Sequence, residues 1–182
     1  MKHQNFIPKL KNHLLSRLVG GGESEGSFTN QDRMALKFIN DRIYRHKVLR
    51  VNYTTYNIRR DQDSLNPRTH GDIMVLSGDD EHPYWYARII GIFHAMVLKI
   101  GPKSLSREPK RMEFLFVRSF GLDTVTDEIG GWKTKKLHQI GFVEGDEAFG
   151  FVNPADVIRA VHLIPRFSQA SGKPPLLRGQ LR

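Results

Sequence analysis

The sequence predicts an α+β, β-rich domain, a small and strongly curved barrel or open sandwich of about six strands, with two helices before it and a flexible basic tail after it. Three observations carry this. Residues 84–98 and 111–120 are long runs of aromatic and β-branched residues, the composition of a pleated, half-buried surface. Turn signals recur between short apolar runs, at Asn66-Pro67, Gly78-Asp79-Asp80, Gly101-Pro102, Gly130-Gly131 and Asn153-Pro154. The helical period appears only near the N-terminus.

Taken in order, Ile7, Leu10, Leu14, Leu15 and Leu18 recur at helical spacing, and Pro8 suits a first turn, so residues 6–19 are read as a helix that Gly20-Gly21-Gly22 ends. Its apolar stripe is read as packing against its own fold, with a membrane-surface or partner helix as the other reading. Thr29 and Asp32 have the spacing of a capping box, which opens a second helix through Met34, Phe38, Ile39 and Ile43. Strands are expected at 48–56, 72–77, 84–98, 111–120, 136–143 and 156–164. In the third, Trp85, Ala87, Ile89, Gly91 and Phe93 fall on one face, and Tyr84, Tyr86, Arg88, Ile90 and Ile92 on the other. Asn153-Pro154 is compatible with either a strand approach or a short capped helix. The division that follows is 1–45 (helical segment with a glycine-rich linker), 46–167 (barrel-like module) and 168–182 (flexible tail).

Composition narrows the chemistry. The 182 residues include no cysteine, which removes disulfides, thiolate zinc sites and thiol nucleophiles, and is compatible with a reducing compartment. No apolar run reaches the ~18 residues a bilayer-spanning helix needs, and residues 1–20 do not form a signal peptide, so the nucleus or cytoplasm is expected rather than secretion or a membrane. The net charge is +9. Lys2, Lys9, Lys11 and Arg17 stand at one end and Arg166, Lys173, Arg178 and Arg182 at the other, each set without an acid, which leaves 20 basic residues against all 19 acids in 21–165. Lys9, Lys11, Arg17, Arg166, Lys173 and Arg178 are therefore candidate nucleic-acid contacts through salt-sensitive phosphate binding.

No motif nominates a catalytic centre: nucleophile elbow, phosphate-binding loop, dinucleotide fingerprint and zincin pattern are all missing. Asp61 and Asp63 have a spacing that could hold a divalent cation, but in Arg59-Arg60-Asp61-Gln62-Asp63 a solvated turn paired with the two arginines is the simpler reading. His94 and His162 lie in apolar strands and read as structural histidines. Tyr53, Tyr56, Trp85, Tyr86 and Trp132 are candidate partner-binding residues, because aromatic faces attract methylated lysine cations and stack on bases; their simpler role is core packing.

Asn52-Tyr53-Thr54-Thr55-Tyr56, Arg59 to Asp63, Asn66-Pro67-Arg68-Thr69-His70, His82-Pro83-Tyr84-Trp85-Tyr86-Ala87-Arg88, Met112-Glu113-Phe114, and the stretch from Gly141-Phe142-Val143 to Val161-His162-Leu163-Ile164-Pro165 resemble the C-terminal region of Plavaka-type (Kyakuja-Dileera-Zisupton-like) transposon-encoded proteins of mushroom-forming fungi. The likeness covers roughly residues 5–170. It implies a truncated copy lacking the upstream RNase H-like strand-transfer domain and a further block beyond the C-terminus, and it assigns no catalytic residue. The family usually has Val-Arg-Trp-Phe-Gly where this chain has Val117-Arg118-Ser119-Phe120-Gly121. A weaker likeness, at the level of fold, links Ala87-Arg88-Ile89 and residues 114–120 to bromo-adjacent-homology (BAH) modules, which are chromatin-associated barrels. The expectation is a non-enzymatic module without cofactor or small-molecule substrate that contacts chromatin or a transposition-complex protein. The alternatives are direct DNA binding through the basic ends, a metal-dependent enzyme built on Asp61 and Asp63, and a fragment with no selected function.

Overall fold

The computed structural model describes residues 5–20, 28–77, 83–100, 108–122 and 139–164. Helix α1 (Phe6–Val19) ends at Gly20, whose φ of 95° allows its N–H to donate to the Ser16 carbonyl in a left-handed cap. Helix α2 (Asn30–Ala35) opens with the expected capping box, Asp32 N donating to Thr29 Oγ1 at 3.3 Å and Thr29 N to Asp32 Oδ2 at 2.9 Å. It stops eight residues before the expected end at Ile43. Leu36–Phe38 instead forms strand β1, paired with Lys99 to Val97, and Lys11 Nζ donates to the carbonyls of Arg33 and Leu36 at 2.8 and 2.9 Å where the helix stops.

The other strands are β2 (Tyr44–His46), β3 (Leu49–Thr54), β4 (Arg60–Leu65), β5 (Asp72–Leu76), β6 (Tyr84–Lys99), β7 (Lys110–Leu122), β8 (Ile140–Phe142), β9 (Phe149–Val152) and β10 (Val157–Ala160). Every ladder is antiparallel. The six expected strands all have counterparts, although of residues 136–143 only the last part lies within the described residues. Four further strands, β1, β2, β4 and β9, are short or polar and carry little periodic signal. Asn153 caps a single 3-10 turn, Pro154–Asp156, by accepting from Ala155 N, so the ambiguous segment is a turn leading into β10.

The long β6–β7 ribbon is the spine. β7 lies along one edge of β6, and β5, β2 and β1 follow one another along the other; β9 and β8 extend the free edge of β7. The main path runs β10-β5-β6-β7-β8, and no ladder joins β8 to β10 among the described residues, so the sheet is not a closed barrel. Both faces of the spine are covered. On one, Leu10, Leu14 and Leu15 of α1 pack on Ala95, Val97, Met112, Phe114, Phe116 and Phe151. On the other, Val51, Leu65, Ile73, Val75 and Val157 pack on Ala87, Ile89, Ile92, Leu115 and Val117.

The expected alternation along β6 fails at one place. Ile89 pairs with Val117 and Gly91 with Phe116, so Ile90 is an extra residue that makes a β-bulge, and the parity reverses beyond it. Ile92, not Phe93, therefore joins Ala87 and Ile89 on one face, while Phe93 turns towards the helix side. Gly91 lies under the Phe93 ring, where a Cβ would overlap it.

Candidate binding surface

The described aromatic candidates, Tyr53, Tyr56, Trp85 and Tyr86, do not converge on one cage. Trp85 and Tyr86 are consecutive in a regular strand and face opposite sides; Trp85 packs beside the cluster of Ile73, Val75 and Ala87, and Tyr86 sits level with Met74 and Phe120. Tyr53 is already covered by a cation: the Arg159 guanidinium lies 3.9 Å from its ring centroid and 3.5 Å from Asp63. Partial desolvation, and then a hydrogen bond with Asp61, raise the pKa of the Tyr53 phenol. Among the described candidates Tyr56 alone is fully exposed. Trp132 lies outside the described residues.

The basic candidates on α1 are tied to the fold. Lys9 Nζ donates to the Phe149 carbonyl at 3.4 Å, Lys11 caps α2 as described, and Arg17 Nη1 donates to the Glu113 carbonyl at 2.6 Å. Burial, and secondarily the charge of Lys37, lower the pKa of Lys11; burial lowers that of Arg17. Arg166, Lys173 and Arg178 lie outside the described residues.

Two further polar clusters are built into the sheet. Arg88 makes a bidentate pair with Asp72 at 2.6 and 2.9 Å, and Arg88 and Arg118, cross-strand partners, place their guanidinium groups 5.2 and 4.1 Å from the Phe142 ring. At the other end of β6, His46 Nε2 and His94 Nδ1 are 2.6 Å apart, so one ring nitrogen carries the shared proton and the other accepts. Burial, followed by the charges of Arg111 and His46, lowers the pKa of His94. The two carboxylates with metal-like spacing are not in a solvated turn. Asp63 lies on β4, where it accepts from Ala160 N at 2.9 Å as well as pairing with Arg159. Among the described residues no three His, Asp or Glu side chains gather to hold a metal ion, and no helix is long and apolar enough to cross a membrane.

The β3–β4 hairpin differs from the rest of the surface. Its ladder runs from Leu49–Leu65 to Thr54–Arg60. Ile58 N donates to the Thr55 carbonyl at 2.9 Å and Thr55 N to the Arg59 carbonyl at 2.7 Å, which leaves a three-residue tip of Tyr56, Asn57 and Ile58. In such loops the last residue takes the left-handed conformation and is normally glycine. Here it is Ile58, at φ 61° and 86% exposed. The other left-handed non-glycine residues among those described are Asn5, Asn40 and Asp41, side chains that tolerate the region, whereas a β-branched residue there is strained. An apolar β-branched side chain held in a strained conformation and pointing into water, next to an exposed tyrosine, is hard to explain by folding alone.

The alternation of the strands sorts the hairpin's two faces. Leu49, Val51, Tyr53, Asp61, Asp63 and Leu65 share the inner face; Arg50, Asn52, Thr54, Arg60, Gln62 and Ser64 share the outer one, and all six outer residues are exposed. Sequence reasoning missed this because β4 reads as a polar turn. One signal was present: residues 42–60 contain Arg42, Arg45, Lys47, Arg50, Arg59 and Arg60 and no Asp or Glu. All six of these cations are exposed, and none is paired with a carboxylate among the described residues. No protein-family model matches the chain, and neither a curated protein nor a solved structure matches it.

Proposed function

We propose that this chain is a non-catalytic binding module, derived from a Plavaka-type transposon-encoded protein and related in fold to BAH modules, that contacts chromatin or a transposition-complex protein in the nucleus. The contact is made by the β3–β4 hairpin, with Tyr56 and Ile58 at its tip. The strained, exposed Ile58 supports this most: a conformation that costs of order 1–2 kcal/mol is retained where no core packing repays it. Of the expected aromatic set Tyr56 is kept in this role, while Tyr53 supports the hairpin from its inner face and Trp85 packs beside the core. Binding through the N-terminal helix has less support, because Lys9, Lys11 and Arg17 each donate to backbone carbonyls of the fold.

The test is binding of the full chain to reconstituted nucleosomes, compared with a Tyr56→Ser/Ile58→Ser double variant. Both side chains are exposed, so the variant should melt at or above the wild-type temperature while its nucleosome affinity falls at least tenfold. Unchanged affinity, or no nucleosome binding by the wild type, would count against the hairpin as the contact.

A further inference from the structure

We infer that the outer face of the β3–β4 ribbon reads duplex DNA, lying in the major groove, an inference that rests on the hairpin being the binding surface. Three features of the ribbon converge on this partner. The first is charge segregation. Arg50 and Arg60 are on the outer face, whereas the hairpin's carboxylates, Asp61 and Asp63, are on the inner one, where Asp63 is neutralised by Arg159. With Arg42, Arg45, Lys47 and Arg59 the ribbon and its approach present six exposed cations to a polyanion.

The second is chemistry. Every outer side chain, Arg50, Asn52, Thr54, Arg60, Gln62 and Ser64, is a hydrogen-bonding type used to read base edges, arginine towards guanine and Asn or Gln towards adenine. Gln62 Nε2 donates to Asn52 Oδ1 at 2.7 Å across the strands, which fixes both amides and leaves the Asn52 amide nitrogen and the Gln62 carbonyl oxygen without a partner among the described residues. An amide donor and an amide acceptor on cross-strand partners are the group types that complement the acceptor and donor adenine shows in the major groove. A merely solvated strand face does not need its amides fixed in this way.

The third is size. Two antiparallel strands fit a groove about 12 Å wide, and six residues at roughly 3.3 Å each extend over about 20 Å, or some six base pairs. The same ribbon does not enter the deep, narrow major groove of A-form RNA. Arg50 and Arg60 stand at opposite ends of the face, paired with Ser64 and Thr54, which places one cation near each end of the groove contact and the amide pair between them.

The experiment is fluorescence anisotropy of the full chain with a labelled 20-base-pair random-sequence DNA duplex across a salt series, beside the same measurement with a duplex RNA. Wild type should bind the DNA with a steep salt dependence and the RNA more weakly. Arg50→Ala/Arg60→Ala should lose about tenfold or more in affinity and flatten the log–log salt slope, by ~0.9 for each guanidinium that neutralises a phosphate. Asn52→Ala/Gln62→Ala should bind the random duplex nearly as wild type does, but flatten the sequence preference recovered from a randomised duplex pool. Undiminished binding by the arginine variant, equal binding to A-form RNA, or no duplex binding at low salt would overturn the inference. If naked duplex is not bound while nucleosome binding still depends on Tyr56 and Ile58, the hairpin stands as the contact and its ligand is histone protein, which also overturns DNA reading. All four substitutions are at exposed positions, so unchanged melting temperatures separate lost contact from lost fold.

Discussion

Replacing Ile58 should stabilise the protein while weakening its binding. The left-handed region costs a β-branched residue about 1–2 kcal/mol relative to its ordinary conformations. With Ile58 86% exposed, only about a seventh of the ~1.5–3 kcal/mol available from burying an isoleucine is at risk, or roughly 0.3 kcal/mol. Glycine relieves the strain but loosens the unfolded chain by about 0.5–1 kcal/mol, whereas asparagine tolerates the left-handed region without that entropic cost. Ile58→Asn should therefore gain about 1 kcal/mol, Ile58→Gly somewhat less, and Ile58→Val, still β-branched, nothing. For a chain of this size 1 kcal/mol raises the melting temperature by about 2–4 °C. Calorimetry or thermal circular dichroism reads the shift, and nucleosome affinity is measured on the same samples. If Asn and Gly both lower the melting temperature, Ile58 is not strained at this tip and the case for a functional hairpin loses its main support.

Lys11→Met should cost about 1.5–3 kcal/mol in urea unfolding, because two carbonyls at the end of α2 lose a charged donor, despite the similar length of the new side chain. Gly91→Ala should cost about 1–3 kcal/mol by driving the Phe93 ring off the bulge; a neutral result would show that the ring moves freely. The lowered pKa of His94 means that the unfolded chain takes up its proton first as the pH falls. Its contribution to stability is therefore complete above the unfolded value of about 6.5 and is lost as the pH drops below it towards the lower folded value. The urea midpoint should fall between pH 7.5 and 5.5, and His94→Gln should reduce that fall; an equal fall in the variant would assign it to other groups.

The spine was legible because a single physical signal dominated it. Residues 84–98 and 111–120 are long, apolar and β-branched, and they form β6 and β7 within two residues of the expected bounds. The capping box at Thr29 and Asp32 was equally local and held. What alternation did not reveal was tertiary. Nothing in the spelling around Ile90 marks the bulge that reverses the faces of β6, and nothing in Leu36-Lys37-Phe38 shows that the edge of β6 will capture it as a strand before the helix can continue. β4 was hidden for a different reason. Arg60-Asp61-Gln62-Asp63-Ser64 has poor strand propensity, and Asp63 is satisfied by Arg159 and Ala160, roughly a hundred residues away.

The binding surface was hidden by the same averaging. Summed over 21–165 the charge nearly cancels, which directs attention to the ends; the acid-free run 42–60 becomes meaningful only once β3 and β4 place its arginines on one exposed hairpin. The aromatic set failed to gather because adjacency in a strand separates side chains, as Trp85 and Tyr86 show, and because Arg159 already occupies the face of Tyr53. Among the described candidates only Tyr56, at a turn, escapes both constraints.

The most direct measurement is site-specific photo-crosslinking of the full chain to reconstituted nucleosomes, with the photoreactive residue placed at Tyr56 in one protein and at Ile7, exposed on the opposite side of the spine on α1, in another. Adducts formed from position 56, to DNA or histone, with few or none from position 7 are the expected result. Adducts from position 7 with none from position 56 would show that the chain binds through its helix and not through the β3–β4 hairpin.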